Sequence, residues 1–575
     1  MLTLSHDQEI SLDDIVSVAH GARVNLAAKT AALLKSRREE IVNFISASKT
    51  PAYGFNRGFG HNVDLSVAPA KLAALQKNLI RSHAAGLGPV APVSVVRATM
   101  LLRAQSLSRG HSGVRPAVVQ ALLDLLNCGI TPAVPLFGSV GASGDLAPLS
   151  HIALALIGEG QVFVANGSDP VPAARALKQA RLKPLELQIK EGIALNNGVQ
   201  YSTAFGILCH QQLRVLYETA LIATAFSAQV MLGGDSPFEA ELHALRPHPG
   251  AKRAAATLWK LMQGSPMRES HKAYEIDGEI QDPYNLRCAA QILGTCEELL
   301  TNAAETLRIE ANSVTDNPLL LRDAKGKGKF TRILSGGHFH GMPIAVKLFD
   351  LLQACGIMGR LSNMRCVRYV DQCRNKGLGS DLVWPRLSAE DRAISSGMML
   401  AEYASAALTN FIWGECMPNH LFSLSTDAGQ EDHVSMSANL AVKLWSTLPR
   451  LAEVLGIELA FAQQAYEIRK VSNSIPSKHI PAPLPADLQR TAKKLADAAA
   501  RKMGKRFEAE ISVQLHYKWE KKQRRLSPAC EKVSAQVSKI FPRLNEDREI
   551  SSQLQALANE VWQGTFVRTT GRAAK

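Results

Sequence analysis

Apolar positions at helical spacing dominate this chain, and alternating patterns are scarce. Ile152 to Ile157 is an unbroken apolar run, which predicts a buried helix beginning just after the glycine-rich stretch Gly138 to Leu149. Thr219 to Gly234 is short for a membrane span and contains Gln229, so it predicts another buried helix. The segments at about Ala289–Arg308, Pro343–Met364, Ala393–Trp413 and Val434–Tyr466 are apolar on more than one face, as helices at the centre of a bundle are. Ser11-Leu12-Asp13-Asp14 reads as a helix start, with Ser11 as N-cap and an acid three residues on. Helical patterning then runs with interruptions to about Ser48, where Thr50-Pro51 breaks it. Another helix is expected from about Lys71 to the glycines at Gly86 and Gly88, and a long one after Gln200, to about Leu232. Gln161-Val162-Phe163-Val164 with Asn166-Gly167 predicts a small hairpin, one of few strand signals. The expected fold is mainly α: a long central helical bundle over residues 201–475, a smaller, loop-rich N-terminal domain over 1–200, and a C-terminal helical extension over 476–575. The stiff connector Ile480-Pro481-Ala482-Pro483-Leu484-Pro485 opens that extension.

Composition narrows the class. With 575 residues and 46% apolar side chains, a large core is possible. Lys and Arg exceed Asp and Glu by 65 to 51, a net charge of +14, which raises the question of a polyanionic partner. The excess is spread out except between Arg501 and Arg525, where it reads as a solvated helical face. Along the chain, aromatic residues are not interleaved with basic ones as a nucleic-acid stacking platform requires. The nine cysteines include no C-x-x-C pair, and Cys209 and Cys355 sit in apolar helical surroundings. A reducing cytoplasm is the expected setting, with neither a disulfide scaffold nor a zinc site. Met1-Leu2-Thr3-Leu4-Ser5-His6-Asp7 lacks the basic and apolar regions of a signal peptide, and no membrane association is expected.

The chemistry centres on Ala142-Ser143-Gly144, inside Gly138-Ser139-Val140-Gly141-Ala142-Ser143-Gly144-Asp145-Leu146-Ala147-Pro148-Leu149. One reading is a glycine-rich turn before a helix. The other is backbone cyclisation: attack of the Gly144 nitrogen on the Ala142 carbonyl carbon and loss of two waters would leave a methylidene imidazolone, its exocyclic methylene supplied by Ser143. Glycine suits the attacking position because no side chain blocks the approach. The full string resembles the signature of the aromatic amino acid ammonia-lyases. Ser150-His151-Ile152-Ala153-Leu154-Ala155-Leu156-Ile157-Gly158-Glu159-Gly160 continues the match, most closely in its histidine-specific form.

Further strings carry the same resemblance, over roughly Leu12 to Lys470. Tyr53-Gly54-Phe55-Asn56-Arg57-Gly58-Phe59-Gly60 is similar to the motif whose tyrosine is the catalytic base, with Arg57 where the family usually has threonine. Ser82-His83-Ala84-Ala85-Gly86 resembles the histidine-type form in which the histidine faces the substrate side chain; read alone, His83 also fits as a complement to a helix dipole. The asparagine matching Asn197 lies beside the prosthetic group, though Asn197-Gly198 also reads as a plain N-cap. Gln281-Asp282-Pro283-Tyr284-Asn285-Leu286-Arg287 resembles the segment whose arginine grips the substrate carboxylate, a task suited to a planar fork. Its glutamine and tyrosine line the site. Glu310 to Pro318 matches as an Asp-Asn-Pro turn with its own side-chain hydrogen bonds. Ser335-Gly336-Gly337-His338-Phe339-His340-Gly341 resembles a Gly-Gly-Asn-Phe-His loop, His338 replacing the asparagine, and Phe339 is the candidate ring near the prosthetic group. The His338/His340 pair raises a metal reading, but no acidic or cysteine partner stands at ligand spacing. Gln430-Glu431-Asp432-His433-Val434-Ser435-Met436 is the histidine-type variant; phenylalanine and tyrosine lyases place glutamine at Glu431. The segment Cys373–Ser388 departs from the family.

The resemblance implies an ammonia-lyase acting on L-histidine to give trans-urocanate, with Tyr53, Ala142, Ser143, Gly144 and Tyr284 catalytic and His83, Asn197, Gln281, Arg287, Phe339 and Glu431 binding substrate. The prosthetic group would sit in the N-terminal domain, with no metal and no pyridoxal phosphate. A homotetramer is implied. Alternatives are a lyase or 2,3-aminomutase for another aromatic or modified imidazole amino acid, and, outside the family, a non-catalytic helical scaffold or polyanion-binding protein.

Overall fold

In the computed structural model, residues 1–47, 55, 67–165, 167, 169–270, 281–322, 330–472, 474–475, 517–518 and 521–572 are described. They are mostly helical and divide into two compact units. The first comprises Met1–Gln211, Leu300–Leu352 and Cys416–Ser446, the second Gln212–Leu299, Gln353–Glu415 and Thr447–Lys575. The chain passes between the units five times, inside the helices Gln200–Val230, Ala289–Ala311, Met342–Val370 and Ser437–Val471 and once at the end of Met399–Glu415.

In the first unit the capping signal at Ser11 holds. The Leu12–Ala19 helix starts on a capping box, Ser11 Oγ accepting from the Asp14 N–H at 3.1 Å and the Asp14 carboxylate accepting from the Ser11 N–H at 3.0 Å. That helix packs on Val93–Ser108, which also meets Pro116–Asn127. Val93–Ser108 is enclosed on nearly every face, so its arginines give their N–H groups to carbonyls: Arg97 bonds those of Val18 and Leu126. The predicted helix after the glycine-rich loop runs Leu146–Leu156 and packs on both Leu72–His83 and Glu191–Asn196. After His83 the chain forms the strand Leu87–Val90, antiparallel to Pro135–Phe137, which leads into the glycine-rich loop. The Gly86 N–H also donates to His151 Nε2 at 3.2 Å. The end of one helix and the start of the loop are thus tied together. The expected hairpin exists: Gln161–Phe163 pairs with Val171–Pro172 and with Thr131–Pro132.

The turn at Asp316-Asn317, which its sequence suggests is self-contained, instead spends its side chains on distant partners. Asp316 bonds Lys190 and Ser112, each at 2.8 Å, while Asn317 bonds Ser335 Oγ at 3.0 Å and the Gly336 N–H at 2.8 Å.

The core of the second unit is aromatic and ionic. Tyr369 stacks on Phe461, and Phe226 meets Tyr466 edge-on. Arg365 forks onto the buried Glu458, whose carboxylate also accepts from Ser227 at 2.7 Å. Here Ala393–Trp413 was expected as one helix and is two, Ala389–Ala393 and Met399–Glu415. The break lies at Gly397, in left-handed conformation (φ +56°), where the Ser396 and Gly397 N–H groups bond the Asp547 carboxylate at 2.6 and 3.0 Å. Among the described residues one helix, Met342–Val370, has the length and composition of a membrane span, and 56% of its most apolar window is buried, as in a core helix.

Candidate active site

The loop before Leu146 is pinned from three directions within the first unit. From below, the Gly198 carbonyl accepts the Asp145 N–H at 2.7 Å and Asn197 Nδ2 donates to the Ser143 carbonyl at 2.8 Å. From the side, the Met436 N–H bonds the Val140 carbonyl at 2.8 Å, and the Gly141 carbonyl accepts from the Gly341 N–H and the Ser435 hydroxyl, both at 3.0 Å. From behind, the fully buried Asp145 carboxylate accepts from the Ser139 and Ser202 hydroxyls and the Ser202 N–H, each at 2.8 Å. Burial raises the Asp145 pKa, against these donors.

Two glycines here have no substitute. Gly144 is left-handed (φ +75°), and a Cβ on it would lie 2.3 Å from the Gly198 carbonyl oxygen. Gly141 is left-handed (φ +69°), with Ser435 Oγ 2.2 Å from where a Cβ would stand. The backbone around the tripeptide is thus packed more tightly than any other residue allows.

The Ser143 hydroxyl donates to Glu431 Oε1, and Glu431 Oε2 accepts from the Thr426 hydroxyl at 2.8 Å. A backbone bridge between Thr426 and Glu431 fixes the carboxylate's position. Glu431 precedes the helix Ser437–Val471 rather than occupying its first turn. His83 is half-buried, its Nδ1 3.0 Å from Ser82 Oγ. Burial lowers its pKa, while the nearby Glu431 and Asp427 carboxylates oppose that shift. Phe339 is half-buried two residues before Gly341. The ring of His340 is committed: Nδ1 accepts the Met342 N–H at 3.3 Å, so Nε2 donates to the His433 carbonyl at 3.0 Å. His338 is exposed. Among the described residues, no three His, Cys, Asp or Glu side chains gather as a metal site.

The first unit therefore brings His83, Ala142–Gly144, Asn197 and Glu431 together, and the Asn197 Oδ1 atom is buried with no partner. Gln281, Tyr284 and Arg287 form a separate cluster in the second unit. Arg287 donates to Gln281 Oε1 and lies 4.8 Å over the Tyr284 ring. Its segment is anchored by part-buried bonds: Asp282 accepts from the Gly234 N–H at 2.5 Å and from Lys376 at 3.2 Å, and Arg365 donates to the Asn285 carbonyl at 3.2 Å. The segment Cys373–Ser388 thus supplies Lys376 to this cluster. Tyr53 and Arg57 lie outside the described residues, although Phe55 in the same stretch is buried against Ile41 and Leu320. Sequence reading did not single out Ser139, Ser202, Thr426 or Ser435. Isolated serines and threonines carry no spacing signal.

A loop of tightly packed glycines ending in a buried aspartate, faced by a carboxylate and an imidazole, on a mainly helical chain, defines a class. The aromatic amino acid lyase profile matches residues 10–490. Histidine ammonia-lyase of Streptomyces griseus is 39% identical over 468 residues, covering 81% of this chain and 87% of that protein. Histidine ammonia-lyase of Aromatoleum aromaticum is 41% identical over 77% of this chain and 80% of that one. Among solved structures, tyrosine aminomutase from Streptomyces globisporus superposes with a TM-score of 0.81 at 30% identity, covering 99% of this chain and 98% of that one. Histidine ammonia-lyase from Trypanosoma cruzi superposes at 0.79 with 27% identity, covering 99% and 95%. The chain belongs to the aromatic amino acid lyase family, and it is a carbon–nitrogen lyase.

Proposed function

We propose that this protein eliminates ammonia from L-histidine to give trans-urocanate, and that Ala142-Ser143-Gly144 condenses into a methylidene imidazolone that serves the reaction. The observation carrying the imidazole assignment is the Glu431 carboxylate, fixed by Thr426 and directed at Ser143, with the half-buried His83 within its electrostatic reach. The residues around the tripeptide suit the ring: the cradle at Gly144 and Gly141 admits no Cβ, and the Asn197 amide donates to the Ser143 carbonyl, which becomes the ring carbonyl. Ring formation removes the Ser143 hydroxyl, which frees Glu431 Oε1 to accept a substrate imidazole N–H.

Formed from Ala142-Ser143-Gly144, the ring would supply an electrophilic carbon to activate the substrate amine for departure. Arg287, held by Gln281 and by the part-buried bonds of its segment, grips the substrate carboxylate with its fork. Glu431 accepts from the imidazole, and neutral His83 contributes a second polar contact to the same ring. Tyr53 as phenolate removes the β-proton; this role rests on the string Tyr53 to Gly60. Gripping the carboxylate and the imidazole together limits rotation about the reacting bond.

Self-association into a homotetramer belongs to the same proposal. On the helix Met399–Glu415, Leu400, Tyr403 and Phe411 form an exposed stripe at helical spacing, opposite the buried face of Ala401, Ser405, Thr409 and Ile412. A contiguous exposed apolar stripe is the kind of surface that another protein chain covers. A reducing cytoplasm, read from the cysteine spacing, belongs to the same proposal.

The test is incubation of the purified protein with L-histidine, following urocanate absorbance and ammonia release. The likeness to an aminomutase keeps a second reading open, and product analysis separates the two: a lyase yields the unsaturated acid, an aminomutase a β-amino acid. Turnover of other aromatic amino acids without turnover of histidine would overturn the substrate assignment.

A further inference from the structure

A fully buried cluster of charges stands behind the tripeptide loop. Arg103, Lys190 and Asp316 each have no exposed surface. Lys190 donates to Asp316 at 2.8 Å, Arg103 Nη2 lies 3.9 Å from the same carboxylate, and Ser112 also donates to it at 2.8 Å. Two cations therefore share one anion. Each buried ion costs several kcal/mol of desolvation that only a good partner offsets, so a neutral pair would serve packing better. Burial holds the Arg103 pKa down at about 10, against the pull of Asp316, and it lowers that of Lys190.

The guanidinium of Arg103 is directed at one backbone segment. Its Nη1 donates to the Asn197 carbonyl at 2.7 Å and to Gln200 Oε1 at 3.0 Å, and Gln200 in turn donates to Thr315 Oγ1 at 2.6 Å. A Cβ on Gly198 would lie 2.5 Å from that Nη1 atom, so the guanidinium lies against the Gly198 backbone itself. Asn197 and Gly198 are the residues that press on the tripeptide from below, through the Ser143 carbonyl, the Asp145 N–H and the Gly144 backbone.

We propose that Arg103 is a positioning residue for ring formation, a role resting on the reading of the tripeptide given above. Held in place by Asp316 and its partner Lys190, it clamps Asn197-Gly198 against Ser143–Asp145 and so keeps the Gly144 nitrogen toward the Ala142 carbonyl carbon. In the step it assists, the Gly144 nitrogen bonds to that carbon. The carbonyl oxygen leaves as water with the Gly144 and Ser143 amide hydrogens, creating a C=N bond. The Ser143 hydroxyl then leaves with the Cα hydrogen as a second water, creating the exocyclic C=C bond. No oxidant or reductant is consumed. A lysine at 103 would keep the charge but has no second nitrogen to stay beside Asp316 and Ser106 while the first holds Asn197 and Gln200.

The test is Arg103→Lys, scored by the fraction of the tripeptide-bearing peptide that is lighter by two waters, by circular dichroism melting, and by turnover per ring. The clamp predicts a folded protein that forms the ring on the order of 10- to 100-fold more slowly, the effect of misplaced reacting groups, with near wild-type turnover for each ring that forms. A folded Arg103→Lys protein with wild-type ring formation overturns the proposal. Should that variant not fold, Thr315→Val decides. It releases only Gln200, so slowed ring formation in a folded protein supports the clamp and a wild-type rate overturns it. An unmodified peptide in the active wild-type protein would defeat the underlying reading first, and is distinguishable because it needs no variant.

Discussion

At the scale of single residues, the Ser143–Glu431 contact and the glycine packing make separate demands. Glu431→Gln keeps the shape but exchanges a charged acceptor for a neutral amide. Hydrogen bonds to charged groups contribute about 1.5–3 kcal/mol, so kcat/KM for histidine should fall about 10- to 100-fold. The fall for an aromatic analogue without ring nitrogens should be far smaller, and equal losses would contradict the assignment. Gly144→Ala places a methyl group 2.3 Å from the Gly198 oxygen at φ +75°, and should give protein without the ring's absorbance. His83 has a pKa lowered by burial. Between its folded value and the ordinary value of about 6.5, the unfolded chain binds a proton that the folded one refuses. Its contribution to stability is therefore lost as pH falls through that window, and His83→Gln should flatten the acid side of a stability-versus-pH curve there; an unchanged curve would contradict it. The tripeptide, Glu431 and His83 were legible because each sits in a contiguous string. Ser202 was not, since it reaches the Asp145 carboxylate only through the fold.

Among the elements, helices with strong local signals appear where sequence places them: Ser11 caps the first helix, and Leu146 opens the one after the loop. Ser11→Ala should cost about 1 kcal/mol, read from the urea midpoint. Sequence missed the break before Met399, because the carboxylate that takes up the free N–H groups comes from Asp547, 151 residues from Ser396. It likewise assigned Asp316 to its own turn, when the carboxylate answers Lys190 across 126 residues. Apolar periodicity records which face is buried, not which distant polar group completes it. The Arg365–Glu458 pair is of this distant kind. Arg365→Met leaves a buried carboxylate uncompensated and should cost about 3–5 kcal/mol in urea unfolding. Its double variant with Glu458→Gln should recover part of that loss.

For the whole molecule, the account joins a helical scaffold to a chemically altered loop. The apolar stripe of Leu400, Tyr403 and Phe411 should be covered by other copies of the chain. Leu400→Glu with Phe411→Glu should lower the mass measured by light scattering below that of a tetramer, whereas an unchanged mass would assign the stripe another role. The central claim concerns the tripeptide itself and is tested by peptide mass, measured beside histidine turnover in the wild-type protein and in Ser143→Ala. The account predicts a wild-type peptide lighter by two waters, and a folded Ser143→Ala protein whose peptide carries no ring and whose turnover is nearly abolished. A peptide of unmodified mass in fully active wild-type protein, or wild-type turnover in Ser143→Ala, would contradict it.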